Sequence, residues 1–541
     1  MNQISSKFFP SKSVLVIDDV DAIRNAVKSM LQMLGCRNIA VAGTGNRALE
    51  LCKKKKYDFI LCDFHLGKGK DGYQLFEELK LRSLLKNNTI FIMISAETAL
   101  QVVYGLVELQ PDDYLLKPFS YKKVENSLKR AVNKRLALGN IYEALAIKDY
   151  KKALFECSAA MVESKRYKMP IMRLKGEILL NLHKPDLALN LYNSVLSERS
   201  LSWAKLGKAV TYYHLDNYDE SIRLLNELVK LKETRIESLN WLANIYVQKG
   251  AYSEAKERLL QAVKLSPKNI SRQQTLANIS LLQGDWENGL RALKSVLTNT
   301  RFSVHEHIDH HFNYIHSLLD SAKEGGELKQ AKVFLQVQSV LKDALLRFDK
   351  SLYQELEKVA VARMMTGKGH LKQSVELLNS CDVEMLRNNS RDSLLNLANS
   401  WFEAGNHDKY DQLVDSIALP EQTENITEVS KMLLIQKVKQ SNRVESEELL
   451  RLNEQGIQLY RNGLYAAATT VFLEAFEVVP NNVQLSLNLA QSLLKGWPSA
   501  EGFDKKRSVV KQCINVVESE VLSDTSKKRY AAIEYELKSI C

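Results

Sequence analysis

The chain has 541 residues, 45% of them hydrophobic, and carries 75 Lys and Arg against 64 Asp and Glu, a formal net charge of +11. A chain of this length exceeds one hydrophobic core and predicts two to four domains, and its mean hydropathy of −0.24 is that of an ordinary globular protein. No apolar run approaches the roughly 18 residues of a membrane span, and the opening MNQISSKFFPSK lacks the apolar core of a secretory leader, so a cytoplasmic protein without membrane insertion is expected.

The seven cysteines (Cys36, Cys52, Cys62, Cys157, Cys381, Cys513, Cys541) contain no C-x-x-C pair. Neither a disulfide framework nor a zinc site is indicated. The basic charge is concentrated in Met1–Arg135, with 22 Lys and Arg against 14 Asp and Glu. That segment lacks interleaved aromatics and any nucleic-acid reading motif, so charge alone does not make nucleic acid its partner. The run Lys53–Lys56 suits a helix C-terminus, where cations oppose the dipole.

From Ser13 to about Arg135, short β-rich runs alternate with amphipathic helices. The strands read SVLVI (13–17), NIAVA (38–42), DFILC (58–62), TIFIMI (89–94) and DYLL (113–116), with helices over 21–34 and 73–85 between them. Such alternation predicts a parallel sheet covered on both faces, and five strands suggest the flavodoxin-like order 2-1-3-4-5. After the third strand, Gly67-x-Gly69-x-x-Gly72 matches the dinucleotide-binding glycine spacing, while Asp63 offers a carboxylate at the strand's end. The local string admits both a pyrophosphate cradle and a phosphorylated carboxylate.

In a doubly wound sheet, chemistry gathers outside the carboxyl ends of the strands. The first strand ends in Asp18-Asp19, the third in Asp63, the fourth in Ser95-Ala96, and the fifth leads to Lys117-Pro118-Phe119. Three carboxylates within about 4–6 Å repel by a few kcal/mol each at an effective dielectric near 20. A hard divalent cation such as Mg2+ relieves that conflict and keeps coordination room for a phosphoryl oxygen. A carboxylate then serves as nucleophile, Lys117 pairs with the arriving phosphate, and Ser95 hydrogen-bonds it.

With these residues in this order, Ser13–Arg135 resembles the CheY-like receiver domain of two-component response regulators. The resemblance implies that Asp63 is the phosphoacceptor and that Asp18, Asp19, Asp63 and the backbone carbonyl of His65 hold Mg2+. It implies that Ser95 and Tyr114 are the switch hydroxyl and aromatic, that Lys117 contacts the phosphoryl group, and that Lys117-Pro118 is a cis peptide. His65 and Glu97 fall where this family tunes phosphoryl lifetime. The glycines of LGKGKDG then form the turn beside the phosphorylation site, and the dinucleotide reading leaves Asp18, Asp19, Asp63 and Lys117 unexplained. The loop departs from the family in lacking the proline that often follows the phosphoacceptor, and it is one residue longer before Asp71-Gly72.

After Arg135 the strands stop and the chain repeats itself. Ala209, Tyr212, Tyr218, Ser221, Leu225 and Leu228 recur 34 residues on as Ala243, Tyr246, Tyr252, Ala255, Leu259 and Ala262. A third copy follows at Ala277, Trp286, Gly289, Leu293 and Val296, and a late one at Gly456, Leu459, Gly463, Tyr465, Ala468, Phe472, Ala475 and Pro480. This period, with small residues at helix crossings, resembles the tetratricopeptide repeat, whose helical hairpins bury their apolar faces only by stacking. The expected division is a receiver over 1–135, tetratricopeptide repeats over 136–300, irregular helical repeats over 301–445, and tetratricopeptide repeats with capping helices over 446–541. Longer insertions are expected around Thr300–Lys350 and Pro420–Glu445.

Three further features read as structural. His307 and His311 of HEHIDHH share a helical face at i, i+4 but lack the catalytic Glu of a metalloprotease motif, so a solvated or interaction face is expected. EGGEL at Glu324–Leu328 is similar to a cyclase loop but lies between two helical patterns, where Gly325-Gly326 suits a turn. Trp203, Trp241 and Trp401 read as packing residues.

The combined expectation is a response regulator with a tetratricopeptide-repeat output. It is a phosphoacceptor and not an enzyme, with slow autodephosphorylation the one self-catalysed step implied. Its partners would be a histidine kinase or histidine phosphotransfer protein and protein ligands of the repeat groove, bound according to phosphorylation. A second reading makes it a modulator or phosphoryl sink acting on a sensor kinase or another regulator. Transmission is expected through the basic helix over 120–136, which leads into the first repeat.

Overall fold

The computed structural model describes residues 8–96, 104–105, 108–323, 326–418, 423–496, 503–519 and 524–540. The chain divides into two compact units, residues 1–283 with 295–306, and residues 284–294 with 307–541.

The first unit begins with five strands, β1 (Ser13–Ile17), β2 (Asn38–Ala42), β3 (Phe59–Asp63), β4 (Ile90–Ser95) and β5 (Asp113–Leu116), in one sheet of order β2-β1-β3-β4-β5. Every pairing is parallel. The central strands β1, β3 and β4 are buried along their whole length, as near-continuous apolar runs require. Successive side chains face opposite layers. Leu15, Ile17, Ile60, Cys62, Phe91 and Met93 pack with α2 (Gly45–Lys54) and α3 (Gly72–Leu81). Val14, Val16, Phe59, Leu61, Ile92 and Ile94 pack with α1 (Asp21–Met33) and α4 (Tyr121–Ala146).

Differences from the sequence expectation are small and have local causes. Strand β3 runs one residue further, because Asp63 still pairs in register with Ile94. Asp58, expected in that strand, instead accepts from the backbone N and Oγ of Ser13, each at 2.8 Å. Helix α3 stops at Leu81 rather than Leu85, since Ser83 takes a left-handed φ of 53°. The predicted end of α2 among the lysines holds, with Lys53 and Lys54 in its last turn.

Helix α4 is continuous for 26 residues and passes through the boundary expected at 135. Its first half, Val124 to Val132, belongs to the sheet core, and its second half, Leu138, Ile141 and Ala144, to the core of the first helical repeat. Gly139 does not break it: a Cβ there would meet nothing within 4 Å, and the helix needs no left-handed residue until Lys148 at φ 55°.

Eight helices follow among the described residues of this unit: α5 (Tyr150–Glu163), α6 (Lys168–Asn181), α7 (Pro185–Glu198), α8 (Ser202–His214), α9 (Tyr218–Leu228), α10 (Arg235–Gln248), α11 (Tyr252–Leu265) and α12 (Ile270–Leu282), and α13 (Trp286–Thr300) adds its last residues. The 34-residue period marks the helix crossings. Ala209, Ala243 and Ala277, and likewise Ser221 and Ala255, are wholly buried. The turns keep the same period, with left-handed backbone at Asp216 (φ 56°) and Gly250 (φ 71°). Tyr192 is buried between Gly176 and Gly207, and a Cβ on either glycine would overlap its ring. Trp203 and Trp241 are half-buried packing residues against Tyr192 and Tyr213.

The second unit is helical throughout its described secondary structure. Ile308–Lys323 and Glu327–Arg347 occupy the first expected insertion, and Gly326 precedes the latter helix; Gly325 lies outside the described residues. Helix Ile426–Arg461, 36 residues long, runs through the boundary expected at 445, where neither Pro nor left-handed Gly interrupts it. The late repeat packs as its spacing predicts, with Ala468, Phe472 and Ala475 buried and a Cβ on Gly456 excluded by the Phe472 ring.

Of the two histidines expected on one solvated or interaction face, His307 is exposed and His311 is buried. Helix Ile308–Lys323 begins after His307, and His311 and His316 are each only 3% exposed. His316 Nδ1 lies 3.0 Å from the buried Arg363 guanidinium, which also binds Asp320 at 2.6 Å and Glu403 at 2.8 Å. Burial pushes the His316 pKa down, and Arg363 pushes it further. Burial alone would raise Glu403, but Arg363 and Lys323 hold it well below the usual carboxylate range. Trp401 is buried beside this cluster's helix, as a packing residue.

If the close approach of α6 and α8 around Tyr192 depends on missing side chains, Gly207→Ala should cost about 1–3 kcal/mol. Urea denaturation would measure it, and pairing Gly207→Ala with Tyr192→Leu should return part of the loss, because the two share one volume.

Candidate functional site

The strand register brings the site together. Ile17 pairs with Cys62, Asp63 with Ile94, and Ser95 with Leu116, so Asp18, Asp63, Ser95 and Lys117 leave neighbouring strands at one sheet edge. Backbone bonds tie these exits: Asp18 N donates to Ala42 O at 3.2 Å, Phe64 N to Ile94 O at 2.8 Å, and Lys117 N to Ser95 O at 2.8 Å. The Lys117-Pro118 peptide is cis.

At this edge Asp18 is 1% exposed and Asp63 6%, while Asp19 faces solvent. One carboxylate oxygen from each of the three lies within 4.8 Å of the others. Lys117 Nζ stands 2.8 Å from Asp18 Oδ2 and 2.6 Å from Asp63 Oδ2. Asp18 Oδ1 accepts from Val20 N at 2.9 Å, and its backbone carbonyl accepts from the Arg24 guanidinium. These bonds fix the Asp18 carboxylate beside Asp63, and Lys117 ties the two together.

The titration of Asp63 follows from this crowding. Burial raises its pKa; Lys117 and the His65 backbone amide lower it, Asp18 raises it, and the net shift is upward. For Lys117, burial lowers the pKa but the two aspartates outweigh that, and the net shift is also upward. Burial is the main cause of the Asp63 shift, while the two carboxylates beside it are the cause of the Lys117 shift. An array of hard oxygen donors with excess negative charge fits Mg2+, which takes carboxylates and retains waters.

The remaining predicted residues fall around this centre. Ser95 is 2% exposed at the end of β4. Tyr114 on β5 is 52% exposed and points away from the core. His65 is exposed two residues after Asp63, its ring edge-on to Phe64 at 5.0 Å. Glu97 lies outside the described residues.

The glycine loop serves the carboxylates. Gly67 and Gly69 have φ of 66° and 97°, and a Cβ on Gly67 would stand 3.2 Å from Asp19 Oδ2. Gly72 opens α3 so close to the Asp63 carbonyl that no Cβ fits there. Asp71 and Gln74 form a capping box, a pattern visible in DGYQ. Two partners were not legible in the string: Lys70, buried in an ion pair with Glu78, and Arg24 on the Asp18 carbonyl. Both contacts are made across turns, where no periodicity points.

Residues 14–129 match the family model for the response regulator receiver domain. The N-terminal domain is therefore a CheY-like receiver, the phosphoacceptor module of two-component signalling. Residues 134–280 match the model for the N-terminal tetratricopeptide-repeat region of Psidin, and the helices after the receiver are a tetratricopeptide-like repeat region. Among individual relatives, chemotaxis protein CheY-3 of Vibrio cholerae is 29% identical over 115 residues, 21% of this chain and 87% of that protein. The probable transcriptional regulator ycf27 of Cyanidium caldarium is 26% identical over 209 residues, 38% of this chain and 77% of its own length. The solved structure of the chemotaxis response regulator CheY4 of Vibrio cholerae is 25% identical at a TM-score of 0.21, covering 22% of this chain and 98% of that one. No helix among the described residues is long and apolar enough to cross a membrane.

A carboxyl whose folded pKa is raised favours the fold while protonated and opposes it once ionised. Asp63→Asn is therefore expected to raise the thermal unfolding midpoint at neutral pH. That gain should shrink as pH falls below the ordinary aspartate pKa of about 4, as scans at both pH values would register.

Proposed function

We propose that this protein is a phosphorylation-controlled response regulator in which Asp63 accepts a phosphoryl group from the phosphohistidine of a kinase or phosphotransfer protein. The observation that carries the reading is Lys117 bridging Asp18 and Asp63 at the carboxyl edge of the sheet, at 2.8 and 2.6 Å. A carboxylate oxygen of Asp63 attacks phosphorus, the phosphorus–nitrogen bond of the donor breaks, and the imidazole departs. Asp18, Asp19, Asp63 and the His65 carbonyl would hold Mg2+, which when bound supplies positive charge to the phosphoryl oxygens.

Lys117 already touches the acceptor carboxylate, so it moves little to neutralise the acylphosphate that forms there. Ser95, buried one strand away, donates its hydroxyl to the same group. Tyr114, exposed beside it, takes the space Ser95 vacates. The repeat region provides the protein-binding output, a reading supported by its stacked hairpins and by the match over 134–280.

Intact mass after incubation with acetyl phosphate is expected to rise by one phosphoryl group with Mg2+ present. Chelation of the metal, or Asp63→Ala, should abolish the gain. A gain retained in Asp63→Ala would move the acceptor elsewhere and sink the assignment.

A further inference from the structure

The receiver and the repeats of the first unit meet at a second place besides α4. The turn between α11 and α12 and the stretch 299–305 lie against the start of α3 and against Glu108. Lys268 Nζ binds Asp71 Oδ2 at 2.6 Å and stands 4.8 Å from the centre of the Phe64 ring. Gln74 Nε2 donates to the carbonyls of Asn299 at 3.1 Å and Arg301 at 3.0 Å, and His305 meets Glu77 at 3.1 Å. Arg272 and Ser266 both bind Glu108, the latter at 2.6 Å.

Two features separate this seam from an incidental surface contact. Arg272 has a side chain only 3% exposed, aimed by Asn240 Oδ1 at 2.9 Å and the Ser266 carbonyl at 3.1 Å. The repeat thus presents a pre-positioned, desolvated cation, and the carboxylate that neutralises it comes from the receiver. Lys268 in turn grips both ends of the loop that encloses the reaction centre: Phe64 directly follows Asp63, and Asp71 caps α3. Between them lie Gly67 and Gly69, in left-handed backbone that costs the loop conformational freedom to hold.

We propose that the α11–α12 turn is an intramolecular docking surface for the phosphorylation loop, with Lys268 and Arg272 as positioning residues that set how long a phosphoryl group survives on Asp63. Within the receiver the loop is pinned at its ends, by buried Phe64 and Leu66 and by Lys70–Glu78 and the Asp71–Gln74 capping box, while Gly67, Lys68 and Gly69 between them are exposed. Held by Lys268, it limits the access of water to the acylphosphate. Freed, it opens and hydrolysis quickens. The inference rests on the proposed phosphorylation of Asp63.

The test uses the full chain carrying Lys268→Gln, at a side chain 39% exposed and therefore tolerant of change, with Lys268→Arg as the rescue variant and Glu108→Gln as a second break in the seam. Each is phosphorylated with acetyl phosphate and Mg2+, the donor is removed, and loss of the phosphoryl group is followed by intact mass. In parallel, amide exchange over 64–71 is measured without donor. Lys268→Gln and Glu108→Gln should shorten the phosphoryl lifetime on the order of fivefold and speed exchange of the loop amides. Lys268→Arg should restore both.

Unchanged lifetimes in variants that do become phosphorylated would overturn the docking inference and leave Asp63 as acceptor. Unchanged loop exchange would overturn it irrespective of phosphorylation. A wild-type chain that accepts no phosphoryl group, from acetyl phosphate or from a phosphohistidine donor, would remove both readings.

Discussion

Lys117 stands between two carboxylates that the sheet buries side by side, and the receiver's chemistry depends on that shortage of positive charge. Two unit charges about 5 Å apart repel by roughly 3 kcal/mol at an effective dielectric of 20. One ammonium compensates part of it, but burial of Asp63, with Asp18 beside it, still leaves that carboxyl shifted upward. The site is therefore prepared for a divalent cation and for a group whose oxygens Lys117 can serve. The same tension makes the Asp63 carboxylate a cost to the fold, tolerated because the strands around it are buried on both faces.

A different constraint governs the helices. A single hairpin cannot bury its apolar stripe, so each pair depends on the next, and the crossings accept only small residues: Ala209, Ala243 and Ala277 in the first unit, Gly456 and Ala468 in the second. Where the small residue is glycine, a ring fills the space, as Tyr192 does between Gly176 and Gly207. Such stacking tolerates irregular spacing, because a longer helix such as Ile426–Arg461 still offers the same face to its neighbours.

The features legible in the sequence were those with a period or a fixed order. Strand–helix alternation gave the sheet and its strand order, the run of strand-end residues gave the carboxylate cluster, and the spacing of 34 gave the repeats. No break marks the passage from receiver to repeats, because α4 serves two cores and keeps one apolar stripe from Val124 to Ala144. The histidines from His305 to His316 looked polar as a string, yet His311 and His316 are core residues that meet charged partners far along the chain, Asp343 and Arg363. Contacts of that kind, like Arg24 with the Asp18 carbonyl or Arg272 with Glu108, are made by residues far apart in the chain and leave no local signature.

The double attachment of the receiver has a mechanical consequence. Helix α4 joins the sheet core to the first repeat without a break, and the α11–α12 turn, later in the chain, returns to the start of α3. A receiver tethered by α4 alone could rotate about that helix with little effect on the repeats. Fastened at Glu108 and Asp71 as well, it closes a ring through α5 to α12, and any shift of the loop after Asp63 must be absorbed by the stacked hairpins or by the seam. The hairpins are close-packed and stiff. The seam is largely polar, and apart from Arg272, Ser266 and Phe64 its side chains are partly exposed. Strain from the carboxylate site will therefore be relieved there first, which makes the α11–α12 turn the element through which the receiver and the repeat surface respond to each other.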